Sequence, residues 1–318
     1  MGLSKLAIVV PCYNEELVLP ETSNRLLSVL RDLIEKGKIS SKSFILFVDD
    51  GSTDRTWSII EELVNNNSFF KGIKLSRNVG HQIALIAGME YVADKCDCVI
   101  TIDADLQQDE SVIEEFVDKY LDGYDIVLGI KKDRGSDKLF KKVTAIGFYK
   151  FMKLCGVNIV ENHPDYRLLS RKALFSLLEF KESNIFLRGI ITLLGYRTAY
   201  VYFNVKERFA GEPKYNIGKM LQLAIDGITS FTVVPLRIIS FIGIAVFLLS
   251  LITSVYVVYL ALFTNKTVPG WASTVLPVYF IGGIQLLSLG VIGEYIGKIY
   301  IETKRRPRYF IEKCAGDK

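Results

Sequence analysis

The first 210 residues alternate between short apolar runs and longer amphipathic stretches. The short runs are rich in β-branched and aromatic residues, which predicts buried strands, whereas the 3.6-residue spacing of the longer stretches predicts helices. The predicted strands cover 6–10, 44–48, 72–75, 98–102 and 125–129, and the predicted helices cover 16–36, 53–66, 80–95 and 111–121. Strands that alternate with helices predict an α/β fold, Rossmann-like, with a mostly parallel sheet covered on both faces.

The pattern changes after residue 235, where two long stretches, 236–263 and 274–297, are almost entirely apolar. Their only charged residues, Arg237 and Glu294, lie near the ends. Because about 20 helical residues cross about 30 Å of hydrocarbon, we predict two transmembrane helices. The alternative is a pair of helices buried in a soluble core, but helices of soluble proteins usually keep a polar face.

These patterns divide the chain into a globular domain at 1–211, a connecting region at 212–235, two transmembrane helices within 236–298 and a basic tail at 299–318. The connecting region has an amphipathic pattern, which predicts a helix in the membrane interface. An ordinary connecting helix of the globular domain is the alternative. The tail carries six Lys or Arg residues and the loop between the apolar stretches only Lys266. The positive-inside rule therefore predicts a multi-pass protein of the inner (plasma) membrane with both termini in the cytoplasm.

Composition supports this division. The 318 residues are 50% hydrophobic with a mean hydropathy of +0.27, which is more apolar than an average soluble enzyme. The net charge of +4 is explained by the basic tail beside anionic lipids, so we predict membrane lipids and no nucleic acid as partners. Five cysteines without paired zinc spacing predict reduced thiols, and two histidines make a zinc site improbable.

Polar residues follow three of the predicted strands directly. These segments are Pro11 to Glu15 (PCYNE), Asp49 to Asp54 (DDGSTD) and Asp103 to Gln107 (DADLQ). The carboxyl ends of parallel strands meet at one edge of a sheet, where α/β proteins bind ligands. Carboxylate and amide oxygens suit hard divalent cations, so the third segment predicts a metal-dependent site for a phosphorylated substrate. Taken singly, the second segment is also explained by helix capping and the third by an acidic turn.

Together with Arg77 to Gly80 (RNVG), these segments resemble family 2 glycosyltransferases of the GT-A fold. With the two apolar stretches, the chain resembles the polyisoprenyl-phosphate glycosyltransferases, which include bactoprenol glucosyltransferases and are similar to dolichol-phosphate mannose synthases. The resemblance covers essentially the whole chain. It implies a GT-A catalytic domain with a two-helix membrane anchor.

The resemblance implies inverting transfer of a sugar from a nucleotide diphosphate to polyprenyl (undecaprenyl) phosphate. UDP-glucose is the first choice of donor, and GDP-mannose, UDP-N-acetylglucosamine and a UDP-aminoarabinose derivative are alternatives. A homo-oligomer, with a tetramer as the candidate, is also implied. A non-catalytic nucleotide-sugar-binding scaffold is the alternative from another class. A processive or protein-directed enzyme is disfavoured because such synthases generally have more spans and a Gln-x-x-Arg-Trp signature, which this chain lacks.

The resemblance also assigns residues to the donor side. The nucleotide-contacting positions are Pro11, Tyr13, Glu15, Asp49, Asp50 and Asp103. The metal-binding positions, for Mg²⁺ or Mn²⁺, are Asp103, Asp105 and Gln107. A divalent ion that bridges the diphosphate would neutralise charge on the leaving group.

On the acceptor side, Lys131 and Arg134 fall where the family usually has two arginines, and we expect them to receive the acceptor phosphate. Lys131 lacks the bidentate fork of arginine, and a solvated basic turn is the alternative for this segment. Arg208 and Lys214 match the loop pattern Arg-x-x-Gly-x-Ser-Lys-Tyr, with Pro213 in place of Ser. They are expected to approach the donor diphosphate or the acceptor phosphate.

Asp165 and Arg167 match the family's acidic-aromatic-Arg segment near the reaction centre. Asp165 is the candidate catalytic carboxylate. A phosphate monoester has a second pKa near about 6, so the acceptor is largely a dianion at neutral pH and hardly needs a general base. Asp165 is therefore either a base or a group that orients the acceptor or the sugar, and Arg167 pairs with it or with phosphate.

Overall fold

A computed structural model describes residues 2–132, 163–182, 185–206, 234–263 and 271–316. Their strands are β1 (Leu6–Cys12), β2 (Phe44–Asp49), β3 (Phe70–Leu75), β4 (Cys98–Thr101), β5 (Ile126–Lys131), β6 (Arg167–Ser170), β7 (Thr198–Phe203) and β8 (Ile311–Ala315). Their helices are α1 (Leu19–Glu35), α2 (Thr56–Asn66), α3 (His81–Val92), α4 (Ile113–Leu121), α5 (Arg171–Leu178), α6 (Leu187–Leu193), α7 (Val234–Phe263) and α8 (Trp271–Lys304). The described residues form two compact units, one built on the sheet and one on α7 and α8.

All eight strands form one sheet in the order β7-β5-β6-β4-β1-β2-β3-β8. The central strand β1 pairs in parallel with β2 and β4, and every residue of β1 is buried. A parallel strand that is covered on both faces is continuously apolar, which is why the apolar runs predicted these strands. The predicted α/β fold with a mostly parallel sheet is confirmed.

Strand β6 was not predicted, and it runs antiparallel between β4 and β5. Its first residue, Arg167, pairs with Thr101 near the end of β4 and with Leu128 in β5. Because β6 runs the opposite way, its beginning lies at the edge where the parallel strands end. The residues just before β6, including Asp165, are therefore brought to the carboxyl edge of the sheet.

Helix α3 lies against β1 and β2 at Gly88. A Cβ atom at this position would lie 2.4 Å from Val9 Cγ1 and 2.8 Å from Val48 Cγ2. Glycine therefore permits the close approach of α3 to the sheet. This packing fixes the start of α3, at His81, relative to the strand ends.

Strand β8 lies within the segment that the sequence analysis described only as a basic tail. It pairs antiparallel with the edge strand β3, from Gly72 opposite Ala315 to Leu75 opposite Ile311. The Ser76 amide donates a 3.0 Å hydrogen bond to the Phe310 carbonyl, and the Tyr309 hydroxyl donates to the Glu90 carboxylate. The segment after α8 thus completes the sheet of the globular unit.

The second unit contains α7 and α8. Many of the large apolar side chains described in these helices are exposed, including Phe241, Leu249 and Leu286. Within the described residues one segment, Ile284–Lys304, is long and apolar enough to cross a membrane, and a shorter apolar segment covers Leu236–Val246. The two predicted spans therefore remain a prediction, and most of the predicted interfacial region at 212–235 lies outside the described residues.

Candidate active site

The loops after β1 and β2 are joined by hydrogen bonds. Asn14, whose φ of 52° lies in the left-handed region, accepts at Oδ1 from the Thr53 amide at 2.9 Å. Its own amide donates to Ser52 Oγ at 2.9 Å. Asp54 accepts from the Thr56 amide at the start of α2 at 3.0 Å. Asp54 also accepts from the Glu16 amide at 3.2 Å, and the N-cap residue of α2, Arg55, makes no side-chain capping bond, so the polar groups of this segment connect the two loops.

The two carboxylates at the end of β2 have different partners. Asp50 accepts from the amides of Val79 and Gly80, at 2.8 and 3.0 Å, so that both of its oxygens hold the loop after β3. Asp49 accepts at Oδ1 from the Ser52 amide, and its buried Oδ2 has no partner within the described residues. Burial raises the pKa of both carboxyls. The unpartnered Asp49 Oδ2 is therefore a buried acceptor at the end of β2.

Gly51 allows the loops after β2 and β3 to meet. Its φ is +66°, and a Cβ atom would lie 2.6 Å from the Arg77 carbonyl carbon and from the Asn78 nitrogen. Both the backbone conformation and the lack of space require glycine. The DDGSTD segment is thus packed directly on the RNVG segment.

Asp103 is held between two side chains for which the sequence analysis proposed no role. His81 Nε2 lies 2.8 Å from Asp103 Oδ1, and Gln108 Nε2 donates to Asp103 Oδ2 at 2.5 Å. Burial disfavours the charged imidazole, but the carboxylates of Asp103 and Asp165 outweigh it and raise the pKa of His81 to about 9. The two carboxylates therefore favour the protonated imidazole of His81.

The turn that follows Asp103 is strained at Leu106, which has a φ of 59°. The turn brings the Gln107 amide to 3.1 Å from Asp105 Oδ1, and the Gln107 carbonyl accepts from the Lys206 amide at 3.0 Å. In the described part of the chain, no group of three or more His, Cys, Asp or Glu side chains forms a metal site. The carboxylates of Asp103 and Asp105 nevertheless supply the oxygen donors that Mg²⁺ and Mn²⁺ prefer.

Asp165 is buried, with 5% of its surface exposed, and it is surrounded by cations. It forms an ion pair with Arg167 Nη2, and its Oδ2 lies 3.4 Å from Arg188 Nη2 and 3.8 Å from His81 Nδ1. Burial alone would raise the pKa of Asp165, but Arg167 and Arg188 hold it well below its usual range. Asp165 is therefore a carboxylate throughout the neutral pH range.

Lys131 at the end of β5 belongs to the same cluster of charges. Lys131 is exposed at the strand end, but desolvation of its ammonium group and the positive charge of Arg188 lower its pKa, whereas the negative charges of Asp103, Asp105 and Asp165 oppose the change. The structure thus brings Lys131, Asp103, Asp105, Asp165 and Arg167 together. The other predicted cations, at 134, 208 and 214 (Arg134, Arg208 and Lys214), lie outside the described residues.

A family model described as "Glycosyl transferase family 2" matches residues 7–177 of the chain. The chain belongs to glycosyltransferase family 2. The protein is therefore a glycosyltransferase of the GT-A fold, as its resemblance to the family predicted.

Several relatives of this glycosyltransferase are similar over nearly their whole length. An uncharacterized glycosyltransferase of Bacillus subtilis, YkoT, is 47% identical over 307 residues, which are 96% of this chain and 91% of the relative. The prophage bactoprenol glucosyl transferase homolog of Escherichia coli is 37% identical over 97% of this chain and 99% of its own. The bactoprenol glucosyl transferase of Shigella phage SfV is 37% identical over 97% and 98%.

The structure adds residues to the site that sequence reasoning missed. His81 had a signal, since it directly follows the RNVG segment at a helix start, and Gln108 lies beside the predicted metal-binding segment. Arg188 had none, because it belongs to no segment that was identified in this glycosyltransferase. The packing of α6 on α3 positions Arg188 at the site. The Leu187 amide at the start of α6 donates to Gln82 Oε1 in α3 at 3.0 Å.

His163 lies beside β5, near the site, and contributes to the stability of the folded protein. Its Nδ1 lies 3.1 Å from the Gly129 carbonyl, so the neutral tautomer carries its proton on Nδ1. Nε2 is buried without a partner in the described part of the chain. Burial and the charge of Arg167 lower the pKa of His163 to about 3. The folded protein therefore holds His163 neutral at pH values where the unfolded chain protonates it.

Acidification is expected to destabilise the glycosyltransferase through His163. The pKa of His163 is lower in the folded protein than in the unfolded chain, where it is about 6.5. Its contribution to the free energy of unfolding is therefore complete above about pH 6.5 and is lost as the pH falls toward about 3. At pH 5 the loss is about 2 kcal/mol. Thermal unfolding of the wild type and of His163→Asn at pH 7 and pH 5 measures it. The variant should lose part of this pH dependence, and an unchanged dependence would contradict the assignment.

Proposed function

We propose that this glycosyltransferase transfers a sugar, with inversion, from a nucleotide diphosphate to polyprenyl phosphate at the cytoplasmic face of the membrane. The observation that carries the proposal is the arrangement of charges at the sheet edge. Carboxylates suited to a metal and a nucleotide lie beside cations suited to a second phosphate. Full-length relatives that are named bactoprenol glucosyl transferase support the same acceptor class.

The donor nucleotide is assigned to the loops after β1 and β2. Tyr13 is 36% exposed and can contact a ligand, and Asp49 has the unpartnered acceptor described above. Pro11 and Glu15 complete this side of the site. Asp50 acts on the nucleotide indirectly, because both of its oxygens hold the loop that leads to His81.

The metal, Mg²⁺ or Mn²⁺, is assigned to Asp103, Asp105 and Gln107. The donor set fits a hard cation, and oxygens of a bound diphosphate would complete the coordination. When bound, the ion supplies charge neutralisation for the leaving diphosphate. His81 and Gln108 hold the Asp103 carboxylate in place, and Asp105 follows two residues later in the same turn.

The acceptor phosphate is assigned to the side of the site formed by β5 and β6. Lys131 lies there, and Arg134 follows it in the sequence. Asp165 acts as an orienting group and not as a base, because cations keep it ionised and the acceptor is already largely a dianion. Asp165 fixes Arg167 by their ion pair. Arg208 and Lys214 are proposed to approach the phosphates from the later loop.

Membrane attachment is assigned to 236–263 and 274–297, with both termini in the cytoplasm and the region 212–235 in the interface. The apolar segment Ile284–Lys304 supports this assignment. An anchor of this kind would hold the active site at the headgroup level, where the phosphate of a lipid acceptor lies. A homo-oligomer, with a tetramer as the candidate, is part of the proposal.

The proposal is tested by transfer of radiolabelled sugar into organic-extractable undecaprenyl phosphate. A panel of UDP-glucose, GDP-mannose, UDP-N-acetylglucosamine and a UDP-aminoarabinose derivative is compared, with Mg²⁺, with Mn²⁺ and with a chelator. We expect metal-dependent lipid label from one donor, with UDP-glucose as the first choice. The anomeric configuration of the product tests inversion. Nucleotide-sugar binding without lipid label from any donor would favour the scaffold function or a different acceptor.

A further inference from the structure

Arg188 lies at the site although no sequence motif pointed to it. Its Nη2 is 3.4 Å from Asp165 Oδ2, and 37% of its side chain is exposed. The guanidinium therefore contacts the buried carboxylate on one side and reaches solvent on another. A residue that served only to neutralise Asp165 would not need this exposure, because Arg167 already pairs with Asp165 from a fully buried position.

The charges around Arg188 favour an anion. Arg188 contacts the Asp165 carboxylate, and it lies close enough to Arg167 and His81 for its charge to disfavour theirs. Arg188 and Lys131 are close enough for the charge of one to disfavour that of the other. Like charges that are held together without an intervening anion are repulsive, and an anion between them would relieve the repulsion.

The chemistry of the two cations is complementary. Lys131 offers a compact ammonium group, which acts as a point charge. Arg188 offers a planar fork that can donate to two oxygens of one phosphate. One guanidinium edge on Asp165 would orient that fork, since the Asp165 carboxylate pairs with Arg167 and the Asp165 backbone is fixed by the Thr101 hydroxyl, which donates to its carbonyl at 2.7 Å.

We infer that Arg188 binds the phosphate of the lipid acceptor, with Asp165 as the group that positions it. This inference rests on the proposed function. It adds a residue to the acceptor side and gives the Asp165 carboxylate a structural purpose. Donor binding, which is assigned to the loops after β1 and β2, does not depend on Arg188.

The test compares Arg188→Gln, Arg188→Lys and the control Arg171→Gln in the full-length protein. Arg171 begins α5 and forms an exposed ion pair with Asp94, 3.6 Å long, away from the site. With undecaprenyl phosphate as the varied substrate, Arg188→Gln should raise KM for the lipid about 10- to 100-fold. KM for the donor should stay unchanged. Arg188→Lys should recover part of the loss, because it keeps the charge but not the fork.

Direct binding of radiolabelled undecaprenyl phosphate to the detergent-solubilised protein separates this inference from the proposed function. Wild type that binds the lipid phosphate but transfers no sugar would contradict the proposed reaction, and weaker binding by Arg188→Gln would still support the inference. Equal lipid binding by wild type and Arg188→Gln would overturn the inference, whether or not sugar is transferred. If Arg188→Gln melts at a lower temperature than wild type, the binding of undecaprenyl phosphate by Arg188→Lys is used to test the inference in its place.

Discussion

Replacing Asp105 with alanine is expected to lower the rate of sugar transfer about 1,000-fold, because a metal ion contributes several kcal/mol to the stabilisation of a developing charge. Asp105 lies in the strained turn after Asp103, and its Oδ1 accepts from the Gln107 amide at 3.1 Å. Asp103 is already engaged with His81 and Gln108. The loss should be larger at Asp105 than at Gln107, because a charged carboxylate is a stronger ligand for a hard cation than a neutral amide.

The measurement is lipid-extractable label as a function of Mn²⁺ concentration, together with the affinity for Mn²⁺ in the presence of UDP. Asp105→Ala should weaken that affinity and should not lower the melting temperature of the apoprotein. Asp122→Ala is the matched control, because Asp122 is an exposed carboxylate after α4, at the opposite edge of the sheet. Transfer by Asp105→Ala at the wild-type rate, with the same metal requirement, would remove Asp105 from the metal site.

The second large effect is expected from Asp165→Asn, which should lower the free energy of unfolding by about 3–5 kcal/mol. The substitution leaves the buried Arg167 guanidinium without its counter-charge, and two of its nitrogens already have no partner within the described residues. For a domain of this size the loss corresponds to about 10 °C in Tm. Differential scanning fluorimetry of the detergent-solubilised protein measures it.

Asp125→Asn is the control for this loss. Asp125 accepts from the Ser170 hydroxyl at 2.9 Å and pairs with Lys172, whose side chain is 64% exposed. An exposed pair contributes about 0–1 kcal/mol, so the control should melt close to wild type. A fall in Tm for Asp165→Asn that is no larger than the fall for the control would contradict the assigned ion pair.

The activity of Asp165→Asn separates an orienting role from a base role. If Asp165 orients Arg188 and Arg167, the variant should bind the lipid acceptor more weakly, and the pH dependence of its residual transfer between pH 6 and 9 should keep the shape of the wild-type profile. This follows because the cations keep Asp165 ionised across that range. A limb of the wild-type profile that disappears in the variant would show that Asp165 titrates during the reaction.

The strands of the sheet illustrate how far the sequence determines the fold. β1, β2 and β4 are continuous apolar runs that are followed by polar segments, and both features come from local burial and local turn chemistry. β6 and β8 are short and carry no comparable local pattern. Their places depend on pairing with β4 and β3 over separations of more than 60 residues, which no local pattern records.

The residues of the site also fall into those that the sequence identified and those that only the fold revealed. The motifs pointed to Asp49, Asp50, Asp103 and Asp105 because each lies at the end of a strand or in the segment that follows it, and a parallel sheet brings strand ends to one edge. The sequence also showed that the chain is apolar enough after residue 235 to expect a membrane anchor. These features follow from residue type and order alone.

Only the tertiary structure distinguished the roles of these carboxylates and supplied the cations that face them. Asp50 holds the loop after β3, whereas Asp49 keeps a buried acceptor, although the two are adjacent and chemically identical. Arg188 reaches Asp165 because α6 is tied to the start of α3, more than 100 residues away in sequence. Charge interactions depend on distance in space, so the pairing of cations with carboxylates was decided by the packing of the helices on the sheet.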